Sequence, residues 1–106
     1  MVRMRIVWTR SAVSELEYIY KFYKRNASVS VARNLKLQLF TSVKQLENHP
    51  FSGPIEENLI GTKYEYRYLV EGNYKIIYRC DDNIVYITDV FDCRRDPQKM
   101  QNLYNI

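Results

Sequence analysis

The spacing of apolar residues differs between the two halves of this chain of 106 residues, and that difference limits the class of fold. In residues 11–48, apolar residues recur every three or four positions, which is the period of an amphipathic helix. Residues 49–62 hold two prolines and two glycines and are predicted to form a loop. After those residues, apolar and polar positions alternate, which is the period of a strand. Helices followed by a run of strands are typical of an α+β fold, whereas α/β folds alternate the two.

Two helices are predicted in the first half of the chain. The first covers residues 11–25, and either Thr9 or Ser11 can cap its N-terminus. The second can be capped by either Ser28 or Ser30 and extends to about residue 48, before Pro50, which lacks an N–H group and restrains the preceding residue. The short break between them favours an antiparallel helical hairpin. The expected inward-facing residues are Ala12, Leu16, Ile19, Tyr20, Tyr23, Ala32, Leu35, Leu39, Val43 and Leu46.

Four strands are predicted, one before the helices and three after them. They cover residues 2–8, 64–70, 74–80 and 84–91, and residues 71–73 form a hairpin loop. The predicted fold is therefore an α+β domain in which a helical hairpin covers one face of a four-stranded, mainly antiparallel sheet. The first strand is expected to belong to that sheet.

A loop over residues 71–73 places odd-numbered residues of the two flanking strands opposite one another. One face of the sheet then collects Glu65, Arg67, Lys75 and Arg79. The other face collects Tyr66, Tyr68, Val70, Tyr74, Ile76 and Tyr78, which can pack under the helices. A cationic sheet face can hold a phosphate backbone. It is equally compatible with an ordinary solvated face, where an exposed Glu65–Arg79 pair contributes under about 1 kcal/mol.

The positive charge is concentrated in the first half of the chain. Residues 1–50 hold nine basic and three acidic side chains, residues 51–106 hold seven and nine, and the net charge is +4. Arg94 and Arg95 follow the last predicted strand and add two cations there. A basic surface favours an acidic partner, either a nucleic acid or an acidic protein segment, although a solvated surface without a partner has the same composition.

Neither a metal site nor a membrane segment is indicated. Cys80 and Cys93 form no Cys-x-x-Cys motif and His49 is the single histidine, so no metal or cofactor is expected. No apolar run approaches the about 18 residues of a membrane span, and arginines interrupt the first ten residues, so the cytoplasm is the expected compartment. The length predicts a single domain over residues 1–106.

Metal-free RNA cleavage needs a base for the 2′-hydroxyl, cations for the charged phosphorane and an acid for the leaving oxygen. The cations are available, but the base is harder to assign. His49 is one candidate, since histidine is the commonest general base, yet it lies at a predicted helix end, where capping is the commoner role. Glu65, Asp92 or a tyrosine are the other candidates.

Two stretches resemble the RelE/ParE superfamily of toxins from type II toxin–antitoxin modules. They are residues 67–78, RYLVEGNYKIIY, and residues 90–97, VFDCRRDP, and the likeness extends over nearly the whole chain. The resemblance implies a growth-inhibiting toxin of the plasmid-stabilisation type. It also implies a cognate acidic antitoxin whose flexible tail folds onto the toxin, in agreement with the net charge of +4.

Targets differ inside this superfamily, because RelE-like members cut mRNA in the ribosome and ParE-like members inhibit DNA gyrase. Carried over residue by residue, the basic positions of RelE-like nucleases fall at Glu65, Arg67, Lys75 and Arg94, so one of them is acidic here. Their tyrosine falls at Met100, which cannot transfer a proton.

The resemblance therefore implies a ParE-like gyrase inhibitor. The alternative is a RelE-like, metal-independent mRNA endonuclease with Arg67, Lys75 and Arg94 as catalytic cations, and a basic RNA-binding module without toxicity is a third possibility. The residues expected to bind the target or the antitoxin are Arg67, Lys75, Arg79, Arg94 and Arg95.

Overall fold

The computed structural model describes residues 3–104 and contains one mixed sheet with helices on both faces. The predicted first strand began at residue 2, which lies outside the described residues. The elements, in chain order, are β1 (Arg5–Trp8), α1 (Arg10–Asn26), α2 (Val29–Ser42), β2 (Arg67–Glu71), β3 (Tyr74–Asp81), β4 (Ile84–Asp92) and α3 (Gln98–Leu103).

The strands are arranged in the order β1-β4-β3-β2. Strand β1 runs parallel to β4, and the other two pairs are antiparallel. The predicted α+β architecture with a four-stranded, mainly antiparallel sheet is confirmed. The outer edge of β2 is partly covered, because Glu56 N donates to Tyr66 O at 2.8 Å and Tyr68 N donates to Pro54 O at 3.1 Å. Strand β1 forms the opposite edge of the sheet.

Side-chain caps begin both long helices at the predicted positions. The Thr9 hydroxyl oxygen accepts from Ala12 N at 3.3 Å at the start of α1, and the same hydroxyl donates to Ile87 O at 2.9 Å. Ser28 Oγ accepts from Val31 N at 3.1 Å at the start of α2. Each cap satisfies one of the backbone N–H groups that a helix start leaves unpaired. The Thr9 cap also ties α1 to strand β4.

The predicted second helix continues as a different helical form in its last third. Helix α2 is followed by a 3₁₀ turn at Val43–Glu47, which ends shortly before Pro50. The tighter turn still directs Val43 and Leu46 into the core, so the apolar stripe continues across the change.

The helical hairpin packs on one face of the sheet, which we call the first face. Most of the predicted inward-facing helix residues belong to this core, Leu35 and Tyr23 are partly buried against it, and Ala32 is also fully buried. The expectation is wrong for Tyr20, which is not part of the core and whose ring centroid lies 5.2 Å from Lys36 Nζ. The buried residues of this core are Met4, Ala12, Leu16, Ile19, Leu39, Val43, Leu46, Tyr74, Ile76, Tyr78, Val85, Ile87 and Val90.

The other face, which we call the second face, is not the solvated surface that the sequence suggested. A smaller core covers the half of this face near the end of β4, where Ile77 and Phe91 contact Leu59 of the loop and Met100 of α3. Tyr66 is also buried in this core. The second face is therefore partly closed by the C-terminal helix and by the loop before β2. None of the helices in the described residues is long and apolar enough to cross a membrane.

The predicted register of the β2–β3 hairpin is wrong by one residue. The loop has two residues and not three, so Arg67 lies opposite Tyr78 and Val70 lies opposite Lys75. Gly72 adopts a φ of +59°, a backbone conformation that closes this short turn and that glycine adopts without strain. Because side chains alternate along a strand, a slip of one residue moves all the side chains of one strand to the other face.

This register changes the partners of the even-numbered residues of β2. Tyr66 and Tyr68 lie with the smaller core on the second face, and Val70 is 60% exposed. The even-numbered residues Tyr74, Ile76 and Tyr78 of β3 do pack under the helices, as predicted. The expectation that the even-numbered residues of both strands face the helices is therefore correct for β3 and wrong for β2.

Replacement of Leu39 by alanine should lower the free energy of unfolding by about 2–5 kcal/mol, because the fully buried side chain leaves a cavity between the helices and the sheet. Urea unfolding followed by circular dichroism measures this loss. Leu37→Ala on the exposed side of the same helix is the matched control and should change stability by under about 1 kcal/mol. Equal losses at the two positions would contradict the placement of the hairpin.

Candidate functional site

The structure distributes the five predicted cations over three parts of the fold. Arg67 lies on the first face at the β2 edge, and Lys75 and Arg79 lie on the second face of β3. Arg94 and Arg95 follow the end of β4. The predicted cationic face shared by Glu65, Arg67, Lys75 and Arg79 is therefore wrong, because the two-residue turn places Arg67 and Lys75 on opposite sides of the sheet.

Arg67 holds the loop before β2 against the sheet. Its Nη1 donates to Gly53 O at 2.8 Å, its guanidinium lies 5.2 Å from the centroid of the Phe51 ring, and Nη2 lies 3.2 Å from a Glu65 carboxylate oxygen. Gly53 permits this approach, since a Cβ at that position would lie 2.3 Å from Tyr68 O. The guanidinium is thus already bound to the protein itself.

Lys75 forms an ion pair with a buried carboxylate. Its Nζ lies 2.8 Å from Glu56 Oε2, and Glu56 is only 1% exposed. The other oxygen, Glu56 Oε1, accepts from the backbone and side-chain nitrogens of Asn58 at 3.2 and 2.8 Å. Lys75 Nζ also lies 4.3 Å from the centroid of the Tyr68 ring. A buried carboxylate requires such partners, so this pair anchors the loop over the second face.

Arg79 is stacked between two tyrosine rings. Its guanidinium carbon lies 4.1 Å from the centroid of Tyr64 and 4.5 Å from that of Tyr86. The Asp81 carboxylate is 3.8 Å away, which is too far for a hydrogen bond. Arg79 is therefore held chiefly by cation–π contacts, which attract a guanidinium to the face of an aromatic ring.

Arg94 and Arg95 line a groove between α1 and the end of β4, which we call the α1–β4 groove. Its volume is about 430 Å³. Arg94 makes a bidentate contact with the Asp92 carboxylate, to which its Nε donates at 2.9 Å and its Nη2 at 2.8 Å. The Arg95 guanidinium lies 5.1 Å from the centroid of the Phe91 ring. The lining residues are Glu15, Tyr18, Ile19, Phe22, Tyr74, Val90, Asp92, Arg94 and Arg95.

A second groove lies at the free edge of the sheet, between β1 and the end of α2, and we call it the β1-edge groove. Its volume is about 410 Å³. Trp8 and Phe40 stack at its apolar centre with ring centroids 5.6 Å apart. Three cations, Arg3, Arg5 and Lys44, line it together with Glu47, which pairs with Arg3 at 2.9 Å. The remaining lining residues are Met4, Ile6 and Val43.

The candidate proton acceptors are poorly placed for general base catalysis. The Arg94 guanidinium holds the pKa of the Asp92 carboxyl below its usual range, so Asp92 is a weaker base. Burial raises the pKa of Tyr74 and of Tyr104, which keeps both phenols protonated at neutral pH. His49 is exposed and lines neither of the two grooves. Met100, at the position of the RelE-like tyrosine, is buried.

Three exposed aromatic side chains that line these grooves, Tyr18, Phe22 and Phe40, are not among the residues predicted from the sequence. Tyr18 is 69% exposed and Phe22 is 44% exposed, on the flank of α1 that faces the α1–β4 groove. Phe40 is likewise exposed on α2. The available signal was their spacing: Tyr18 and Phe22 lie four residues apart and outside the buried stripe of their helix, so they form a second apolar row.

A known protein family matches most of this chain. The model of the family described as "ParE toxin of type II toxin-antitoxin system, parDE" matches residues 6–97. The chain belongs to the ParE toxin family. It is therefore a ParE-like toxin of a type II toxin–antitoxin system, as the resemblance to the RelE/ParE superfamily implied. An antitoxin partner follows from membership of this family.

Two solved structures are similar in fold to this chain. The chain is similar to a structure described as "Chromosomal ParDE TA system from P. aeruginosa", with a TM-score of 0.73 and 19% identity over 87% of this chain and 98% of that one. It is also similar to "The structure of YoeB dimer from Staphylococcus aureus", with a TM-score of 0.52 and 17% identity over 83% and 94% of the two chains. At these identities the likeness concerns the fold. A search of the curated proteins found no match to this sequence.

Lys75→Met should lower the free energy of unfolding by about 2–4 kcal/mol, because it keeps the apolar stem but leaves the Glu56 carboxylate buried without its cation. Urea unfolding measures the loss. The double variant Lys75→Met/Glu56→Gln should recover much of it, since no buried charge remains. Arg94→Ala is the control, because it removes an exposed pair with the same 2.8 Å separation and should leave the unfolding midpoint nearly unchanged. A Lys75→Met chain as stable as the wild type would show that the pair is dispensable.

Asp89 is a buried carboxyl group within β4. It is 3% exposed, and its Oδ1 accepts from Val90 N at 2.8 Å. Burial, aided by the nearby Glu15 carboxylate, raises the pKa of Asp89 from the usual 3.8 to about 6. The hydrogen bond from the Val90 N–H and the positive charge of Arg95 lower this pKa by smaller amounts. The folded state therefore binds this proton more tightly than the unfolded state does.

Since the native pKa of Asp89 is the higher one, its protonation stabilises the fold at low pH, and that contribution is lost as the pH rises from about 4 through about 6. A shift of this size corresponds to about 3 kcal/mol. Asp89→Asn should therefore be more stable than the wild type at pH 7.5, with a difference that shrinks towards pH 4. Urea unfolding at several pH values tests this, and a constant difference across the range would refute the assignment.

Proposed function

We propose that this toxin arrests growth by binding DNA gyrase in the cytoplasm rather than by cutting mRNA, and that an acidic antitoxin silences it. Membership of the ParE family supports a toxin of this type. The observation that carries the choice of mechanism is the dispersal of the cations that RNA cleavage would require.

The three cations carried over from RelE-like nucleases each have a partner within the protein. Arg67 donates to Gly53 O, Lys75 pairs with buried Glu56, and Arg94 binds Asp92 through two hydrogen bonds. A phosphorane transition state needs several donors that converge on one point and are already oriented. Arg67 and Lys75 lie on opposite faces of the sheet, so they cannot contact one phosphate together. This arrangement supports inhibition by binding, which requires no such convergence.

The β1-edge groove fits the antitoxin that we propose. Within residues 3–104, strand β1 pairs with β4 and with no other strand, so an extended segment can pair with its outer edge through backbone hydrogen bonds. Apolar side chains of that segment would cover the stacked Trp8 and Phe40 rings, and its carboxylates would lie near Arg5 and Lys44. The excess of cations around this groove favours an acidic segment.

A supercoiling assay with purified gyrase and relaxed plasmid tests the proposed target. The toxin should inhibit supercoiling in a concentration-dependent manner, and an equimolar amount of the cognate antitoxin should restore it. A translation reaction with the same toxin concentration, analysed by primer extension, should show no new mRNA ends. New ends at ribosome-positioned codons, lost in Arg94→Ala, would instead establish the endonuclease alternative.

A further inference from the structure

The two grooves of this toxin differ in charge and share no lining residue. Around the β1-edge groove, three cations face a single carboxylate. Around the α1–β4 groove, Arg94 and Arg95 face Glu15 and Asp92, so the charges balance. A strongly acidic segment is attracted by the first arrangement and gains little from the second. The two surfaces therefore suit partners of different chemistry.

The α1–β4 groove has the composition of a protein-binding hot spot. Tyrosine and arginine are enriched at such spots, where they surround a pocket for an anchor side chain. Here Tyr18 and Phe22 form the apolar wall, at 69% and 44% exposure, and the ion-paired Arg94 forms the polar wall. The volume of about 430 Å³ is within the range of small binding pockets and accommodates a large apolar side chain.

Contacts within the protein hold side chains on both walls of this groove in place. The bidentate contact with Asp92 fixes the Arg94 guanidinium, and Phe22 packs edge-on against Tyr23 with ring centroids 5.2 Å apart. Side chains that are already held lose less conformational freedom on binding. Arg95 makes no ion pair within residues 3–104, so its guanidinium can donate hydrogen bonds to a carboxylate of a partner.

We propose that this toxin binds its protein target through the α1–β4 groove, and that the antitoxin strand binds at the β1-edge groove. The occupant is an apolar side chain of the target, flanked by a carboxylate that binds Arg95. This inference rests on the proposed function insofar as the toxin acts by binding a protein. It assigns the target and the antitoxin to different surfaces, so variants should separate the two activities.

The test compares three variants with the wild type in two assays. Growth arrest after graded induction measures target engagement whatever the target is, and calorimetry measures the dissociation constant of the antitoxin. Tyr18→Ala/Phe22→Ala and, independently, Arg95→Glu should need at least about tenfold more toxin for arrest, while the antitoxin dissociation constant changes less than about twofold. Lys44→Glu at the β1-edge groove should weaken antitoxin binding at least about tenfold and retain arrest.

Val13→Ala is the control, because Val13 is exposed on α1 and lines neither groove. Thermal melting and immunoblots establish that each variant folds and accumulates, and Arg95→Glu covers the case in which the aromatic variant does not fold. Undiminished arrest by the folded groove variants would overturn the inference, and so would a parallel loss of antitoxin binding. If wild-type toxin leaves supercoiling unaffected while the groove variants still lose arrest, the gyrase proposal fails and the inference stands.

Discussion

The pairing of β2 with β3 through a two-residue turn determines where every functional side chain of the hairpin lies. It places Arg67 opposite Tyr78, on the face that the helices cover, and turns Lys75 to the other face. Backbone hydrogen bonds and the φ of +59° at Gly72 define this register. Because neighbouring side chains of a strand point to opposite faces, no adjustment of rotamers can bring the two cations together.

Charge in this hairpin is used to hold the chain in place. Arg67 and Lys75 attach the loop before β2 to the two faces of the sheet, one through carbonyl oxygens and the other through the buried Glu56 carboxylate. Gly53 lies so close to the β2 backbone that a Cβ at this position would be 2.3 Å from Tyr68 O, so no side chain fits there. A stretch with two prolines and two glycines thereby becomes an ordered cover for β2. The cations that resemble a nuclease site thus contribute to the stability of the fold.

The two surfaces that we propose for partners lie at the borders of the sheet. The β1-edge groove combines an unpaired strand edge with a surplus of cations, and the α1–β4 groove combines exposed aromatic rings with balanced charge. Both have one wall from the helical hairpin and one from the sheet. A toxin that must be silenced by one protein while acting on another benefits from such a division, because each surface can be optimised for its own partner.

Local patterns in the sequence determined the order of the four strands and two long helices, most of the buried stripe of each helix and the α+β class, and they limited each helix cap to two candidates, of which Thr9 and Ser28 are the ones observed. These features depend on residues within one or two turns of each other, which a linear pattern records. The face of the sheet on which each hairpin side chain lies depended on whether the turn held two residues or three. The alternation of apolar and polar residues along each strand is the same in the two cases, so the sequence pattern could not decide between them. The grooves arise where distant segments of the chain meet: Tyr18 of α1 and Arg95 after β4 line one groove, and the Trp8 ring stacks on Phe40 in the other. Only the tertiary structure decides which distant segments lie side by side.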